Sequence, residues 1–432
     1  MPSTSPLQLS DFRPELIMVE RMVVLAALLV HAATGVAQKV PARPQLPATA
    51  DTNDARAYHA LGAALLPTDP DRAADAFHWA TRIDPALAES YYGRYVAFLL
   101  HDPRRLWLYD AGVKRVVDSR EIQRLDSLFA RAVILNPAVP LRYGRLLAIG
   151  SMKQAVEEYN AKQHCTMSPG LVQEATSKSC AKLTYRDEAQ LNSAFDRSVS
   201  GAPHGDAIRA RMYQADGDYS SATAAWALAI GRAKNRPEFR AARGRLYLQI
   251  GQSDSAIADF RQALKELRTR DKKDFVAFYS SKAMLEFTLG LAHQQARDDA
   301  SAREAFGRAL QEDLAFYPAH VRLGYLALDQ HDTTTALSEL DLAMQLRPDD
   351  GLVRDQYGYA LYEAGKTGAA IEQLKKALEL EPYFALPWKH LGDAYLRAGR
   401  AADASHAYRS FLSMARREDP LRAEAQKHLA VP

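Results

Sequence analysis

An all-α array of stacked helix hairpins is the fold this sequence predicts, and three observations predict it. A 34-residue period runs through the C-terminal half: Gly290, Gly324, Gly358 and Gly392 recur at that spacing, as do Ala302, Ala336, Ala370 and Ala404. Within a period, apolar residues return at helical spacing, as with Tyr357, Leu361, Ile371, Leu374 and Leu378. No segment reads as a β-strand. Self-similarity at such a period marks repeated helical units that bury a core only by stacking on one another.

In chain order, residues 1–37 read as a secretory signal peptide, with Met18 as an alternative start: Arg21 precedes the apolar run Met22 to Val30, and small residues extend to Ala37. The run falls far short of the roughly 20 residues that span a bilayer. Cleavage after Ala37 leaves Gln38 first, and no Cys stands there for lipid attachment. Residues 38–54 form a Pro-rich linker with Pro41, Pro44 and Pro47. Residues 55–137 read as degenerate repeats. Leu61-Gly62, Phe77, Ala80 and Pro85 mark one, and Tyr92-Gly93 with Ile122 to Leu135 a second, split by an insertion that includes Asp102-Pro103-Arg104-Arg105.

Residues 138–202 are an irregular segment, helical over Leu146 to Tyr159 and Asp187 to Val199, and they hold Cys165 and Cys180. Residues 203–416 contain six units in phase, one lengthened by roughly twelve residues around Arg268 to Tyr279. Residues 417–432 read as a capping helix, Leu421 to Ala430, that covers Phe411. Gly217, Gly251, Gly365 and Gly399 fall in the turns inside their units, and Gly365-Lys366-Thr367 offers a C-terminal glycine followed by a capping threonine. Gly358, Ala370 and Ala377 are small where backbones should approach closely.

Trp388, Leu391-Gly392, Tyr395, Ala404 and Tyr408 follow the order large, apolar-small, aromatic, small, aromatic, with Phe411 where a small residue is usual. In this the chain resembles the tetratricopeptide-repeat family. The resemblance implies a right-handed superhelical α-solenoid whose first helices line a concave groove for a peptide or partner helix. Carried over unit by unit, the groove positions are Arg245, Gln249, Gln294, Tyr325, Asp355, Tyr359, Tyr362, Lys389, Asp393 and Arg397. The Asn residues with which the chaperone-binding subset clamps a terminal carboxylate are absent.

Composition excludes several other functions. A net charge of +3 over 432 residues supplies no field for nucleic acid. Twelve His show no metal-ligand spacing, and no glycine-rich phosphate loop is present, so neither metal nor cofactor is assigned. His59, His78 and His101 are candidates to converge, against the commoner role of isolated surface or core groups. The basic run Arg232, Lys234, Arg236, Arg240, Arg243 and Arg245 reads as a solvated helix face, with an acidic partner as the alternative. Cys165 and Cys180 are expected to form a disulfide on export, against unpaired thiols or a thiol activated by His164.

The functional expectation is a non-enzymatic scaffold, without catalytic residues, that binds another protein or peptide in envelope assembly or secretion. Arg over Lys and abundant Ala fit a GC-rich bacterial source, hence a periplasmic or secreted location without stable membrane insertion. The alternatives are a polysaccharide-binding repeat protein and an enzyme with its site in 138–202. Protein recovered from the producing cell should begin at Gln38 and gain two hydrogens in intact mass on reduction; an intact leader on soluble protein, or no mass change, would overturn the respective expectation.

Overall fold

The computed structural model describes residues 40–101, 119–139, 143–162, 183–199, 201–233, 236–269 and 281–430, with backbone alone for 119–126. The leader, the insertion after His101, both cysteines and most of the extra residues after Arg268 lie outside them. Nineteen helices and no strand occur among the described residues. They are α1 (Ala55–Leu65), α2 (Pro70–Ile83), α3 (Ala88–His101), α4 (Ser119–Leu135), α5 (Gly144–Lys162), α6 (Glu188–Ser198), α7 (Pro203–Ala215), α8 (Tyr219–Arg232), α9 (Pro237–Gln249) and α10 (Ser253–Thr269). There follow α11 (Lys282–Gln295), α12 (Asp299–Glu312), α13 (Tyr317–Asp329), α14 (Thr333–Leu346), α15 (Gly351–Glu363), α16 (Thr367–Leu380), α17 (Leu386–Arg397), α18 (Ala401–Met414) and α19 (Arg422–Ala430).

From α7 to α18 consecutive helices pair into six antiparallel hairpins, and each hairpin stacks on the next as an α-solenoid. The glycine period has its reason here. A Cβ on Gly244 would lie 2.8 Å from the Phe260 ring, one on Gly290 2.4 Å from Phe306, and one on Gly324 2.6 Å from Leu340. Gly358 meets Leu374 at 2.8 Å and Gly392 meets Tyr408 at 2.6 Å in the same way. Each large side chain of the second helix therefore occupies the space that any residue but glycine would fill on the first. In the α7–α8 hairpin, Ala210 stands in the glycine register and shares a buried cluster with Trp226.

Within each hairpin the turn after the first helix holds a residue with positive φ, a conformation natural to glycine. Gly217, Gly251, Gly365 and Gly399 adopt it with φ between 71° and 80°. At the equivalent places Arg297 (φ 59°) and His331 (φ 58°) take the same conformation despite their side chains. The following backbone N–H, that of Asp298 or Asp332, closes the turn on His293 or Ala327 at 2.9 Å in both cases. Asp218, Asp298 and Asp332 then cap the second helices through the amides of Ser221, Ser301 and Thr335. Thr367 is not a cap, contrary to the sequence expectation. It is the first residue of α16, and the cap position belongs to Lys366, whose side chain makes no capping bond.

The N-terminal hairpins use the same lock doubled, because Phe77 of α2 fills the Cβ positions of both Gly62 on α1 and Gly93 on α3, at 2.8 and 2.6 Å. Residues 40–54 lie against them. Trp79 donates to the Pro41 carbonyl at 3.0 Å, Arg43 donates to the Tyr58 hydroxyl at 2.9 Å, and Leu46 packs on the cluster around Tyr58 and Trp79. Helix α5 packs on α6 and α7 and so joins this region to the six-hairpin array.

The N-terminal hairpins also touch the array's connections between hairpins. Arg131 reaches the Tyr317 hydroxyl at 2.6 Å and Asp350 at 2.8 Å. Arg82 pairs with Glu381 at 3.1 Å, and Trp79 meets Tyr383 edge to face at 5.0 Å, with Arg43 over both rings. Asn53 donates to the Ser413 carbonyl, and the Arg417 amide to Asp51. Burial pushes the Glu381 carboxyl up to about 7, with Arg82 offsetting part of the rise. At Phe411 the capping helix α19 closes the array, since Ala425, Leu421 and Leu429 pack in the same cluster.

Two substitutions separate these roles. Gly358→Leu should destabilise by about 3 kcal/mol or more through overpacking against Leu374 and loss of the adjoining interface. His331→Gly should stabilise by about 1 kcal/mol by relieving the left-handed backbone. Thermal melts of both variants check the assignment, and an unchanged Gly358→Leu melt would require the 34-residue register to be redrawn.

Candidate functional site

The first helices share one face of the array, where side chains of successive first helices bond to one another. Gln214 of α7 donates to Gln249 of α9 at 2.8 Å. The Gln356 side chain of α15 lies beside the Tyr325 hydroxyl of α13. His390 of α17 lies 2.8 Å from Asp355 of α15, with its ring 4.9 Å from Tyr359. Tyr359 stacks on Tyr362 at 6.4 Å, and the Arg397 guanidinium sits 3.6 Å over the Tyr362 ring while it donates to the Tyr362 carbonyl.

Of the residues nominated from the sequence, Tyr325, Asp355, Tyr359, Tyr362, Lys389, Asp393 and Arg397 thus fall in one run over α13, α15 and α17. Gln249 and Arg245 lie two hairpins away. Arg245 is only 9% exposed and stands over the Phe129 ring of α4 at 5.6 Å, and Gln294 is half-buried on α11. The run is less open than a row of solvent-facing side chains. Asp355 is 2% exposed, Tyr325 is enclosed, and Lys389 is held by Asp393 at 2.8 Å and by Glu424 of α19 at 3.1 Å. Burial raises the Tyr325 and Tyr359 hydroxyls above their ordinary range, so both rings stay neutral.

Sequence reasoning missed Arg322, Gln356 and His390 on this face. They are spaced 34 residues apart, so the repeat itself held the signal. The basic run resolves differently from expectation. Arg232 pairs with Asp206 at 2.6 Å, Arg240 with Glu266 at 2.5 Å, and Arg243 with both oxygens of Asp259 at 2.7 and 2.8 Å. These charges face acids of their own array, because carboxylates on adjacent helices fall opposite them. Lys234 lies outside the described residues.

His59 is held between the Ser90 and Tyr143 hydroxyls, both at 3.0 Å, and His101 pairs with Asp71. Burial, aided by Arg94 and Arg82, pushes His78 down to about 4, so its ring is neutral. Among the described residues one group offers three ligand atoms within 4.8 Å of one another: Asp393, Glu424 and His428. The Lys389 ammonium already bridges the two carboxylates, and the Tyr408 hydroxyl donates to Asp393 at 2.8 Å. The group therefore works as an ion network that ties α19 to α17.

A family model described as "TPR repeat" matches residues 358–399, and one described as "Tetratricopeptide repeat" matches residues 237–266. No curated protein matches the chain. Among solved structures, YrrB, described as a TPR protein with an unusual peptide-binding site, is 20% identical; the match covers 48% of this chain and 98% of that one, with a TM-score of 0.38. MamA from Desulfovibrio magneticus RS-1 is 17% identical, with 42% and 96% covered and a TM-score of 0.36. The C-terminal part of a TPR repeat-containing protein from Cytophaga hutchinsonii is 17% identical, with 48% and 78% covered and a TM-score of 0.39.

The Asp355–His390 pair should be visible in the pH dependence of stability. Burial works against the His390 imidazolium, but the Asp355 charge and hydrogen bond, with a lesser pull from Asp393, outweigh it and Lys389, so the ring is held above its ordinary 6.5. A histidine so held contributes stability that is complete below pH 6.5 and is lost as pH rises through the folded value. The melting advantage of wild type over His390→Gln should therefore shrink from pH 6.5 upward. Glu381 titrates in both proteins and drops out of the difference. A difference independent of pH would remove the pair from the account.

Proposed function

Because this chain is a tetratricopeptide-repeat protein, a scaffold for protein–protein interaction, we propose that it binds a peptide or partner segment along the face of α13, α15 and α17. The observation that carries the reading is the continuous run Tyr325, Gln356, Tyr359, His390, Tyr362 and Arg397, joined across three hairpins. Aromatic rings held by their neighbours give contact area at little cost in side-chain entropy, and the Arg397 stack fixes the edge of that area. The protein acts by binding and has no chemistry of its own. The signal-like leader supports a place for the mature protein in the periplasm or outside the cell, in envelope assembly or secretion.

Truncating two interface aromatics costs about 2 kcal/mol or more in a typical hot spot. Tyr325→Ala with Tyr359→Ala should therefore weaken partner capture about thirtyfold or more. Helical content should hold, since neither ring belongs to a buried hydrophobic cluster. Quantitative cross-linking in the native envelope, with circular dichroism as the folding control, measures both. Equal capture by the double variant would move the working surface elsewhere.

A further inference from the structure

On the same face a half-buried cation has no counter-charge among the described residues, whereas the exposed Arg397 is taken up by the Tyr362 ring and carbonyl. Arg322 of α13 is half-buried, and no carboxylate among the described residues pairs with it. Burial pushes its guanidinium below the ordinary arginine range, and only the Tyr325 hydroxyl opposes that shift. Its surroundings are otherwise well satisfied. Asp355 of the run is committed to His390, and Lys389 is neutralised by Asp393 and Glu424. Among the described residues several enclosed charges are matched: Arg131 with Asp350, Asp206 with Arg209 and Arg232, and Glu286 with Arg268 and Arg308.

A desolvated, unmatched guanidinium is costly to the folded chain, and an incoming anion recovers that cost on binding. Arg also presents a planar fork suited to two carboxylate oxygens. Along the chain repeat, Arg322 is followed by Gln356 and then His390 in the same register, so the row continues past it on α15 and α17. A segment lying there runs through the position rather than ending at it. We infer that Arg322 is the anchor for an acidic side chain of a bound peptide, with Tyr325 and Gln356 beside it, and that the scaffold selects Asp- or Glu-bearing segments. This rests on the groove reading above.

The test uses the full chain and a pool of random, C-terminally amidated peptides. Peptides bound by wild type should be enriched in Asp and Glu over Asn and Gln. Arg322→Gln should abolish the enrichment and weaken acidic peptides about tenfold, the effect of removing one charge-assisted pair, while neutral peptides bind as before. Arg322→Lys should restore the preference in part. Arg322→Gln should melt no lower than wild type, because an unmatched, half-buried charge has been removed, whereas a residue with a merely structural role would melt lower.

Peptides bound without acidic bias, or with a bias that survives Arg322→Gln, overturn the inference and leave the groove reading standing. A preference confined to a parallel pool with free carboxyl ends overturns it in favour of a chain terminus. Single-stranded oligonucleotides that outcompete the acidic peptides overturn it in favour of phosphate. A wild-type protein that retains no peptide at all brings down both readings.

Discussion

In five of the six C-terminal hairpins a ring or an isobutyl group lies where the Cβ of a first-helix glycine would be, at 2.4 to 2.8 Å. The hairpin spacing follows from that contact. Each glycine lowers helix propensity by about 1 kcal/mol relative to Ala, and the close packing it permits has to outweigh that loss. The hydrophobic clusters on both sides depend on the same spacing: Phe260 with Ala256 and Ala263, Phe306 with Ala302 and Ala309, Tyr408 with Ala404 and Ala407. Alanines at those positions keep the second helix thin enough to accept the next hairpin. The face of α13, α15 and α17 inherits its geometry from this stacking, because His390 meets Tyr359 only when consecutive first helices lie this close.

Electrostatics work within that frame. Where carboxylates are buried they are met by cations from the adjacent helix, as Asp259 is by Arg243 and Glu286 by Arg268 and Arg308. Such pairs add little net stability over apolar substitutes, but an unmatched partner is expensive, so each acts mainly as a check on which helix faces which. Arg322 departs from this pattern, since it is half-buried and no carboxylate among the described residues pairs with it.

The architecture was legible because its cause is periodic: glycine and alanine at fixed spacing leave a mark that one sequence can display. Caps and turns were partly legible. Glycines in the turns announced themselves, but Arg297 and His331 hold the same left-handed backbone with no compositional sign, and only their place in the register gives them away. Thr367 looked like a cap because its chemistry allows it, yet the helix begins one residue earlier than that role requires. The basic run from Arg232 was illegible in another way, since its partners Asp206, Asp259 and Glu266 lie on other helices and pairing across helices leaves no local trace. The nominated groove residues were located by register, but their ties to Glu424 and to one another were not.

The contacts from Asp51 and Asn53 to Arg417 and Ser413 join residues 366 and 360 positions apart in the chain. A simple solenoid is open, and its outermost unit can unravel while the others persist, because each unit touches only its neighbours. Here the outermost units are buttressed by partners from the opposite end of the array. Unzipping from the edge must break Arg82–Glu381, Trp79–Tyr383 and Arg131–Asp350 before it gains chain entropy. The array is thereby turned from a stack that frays one unit at a time into a closed circuit that opens as a whole. The face of α13, α15 and α17 is held in one curvature, as a clasped bracelet holds its shape when a loose chain does not.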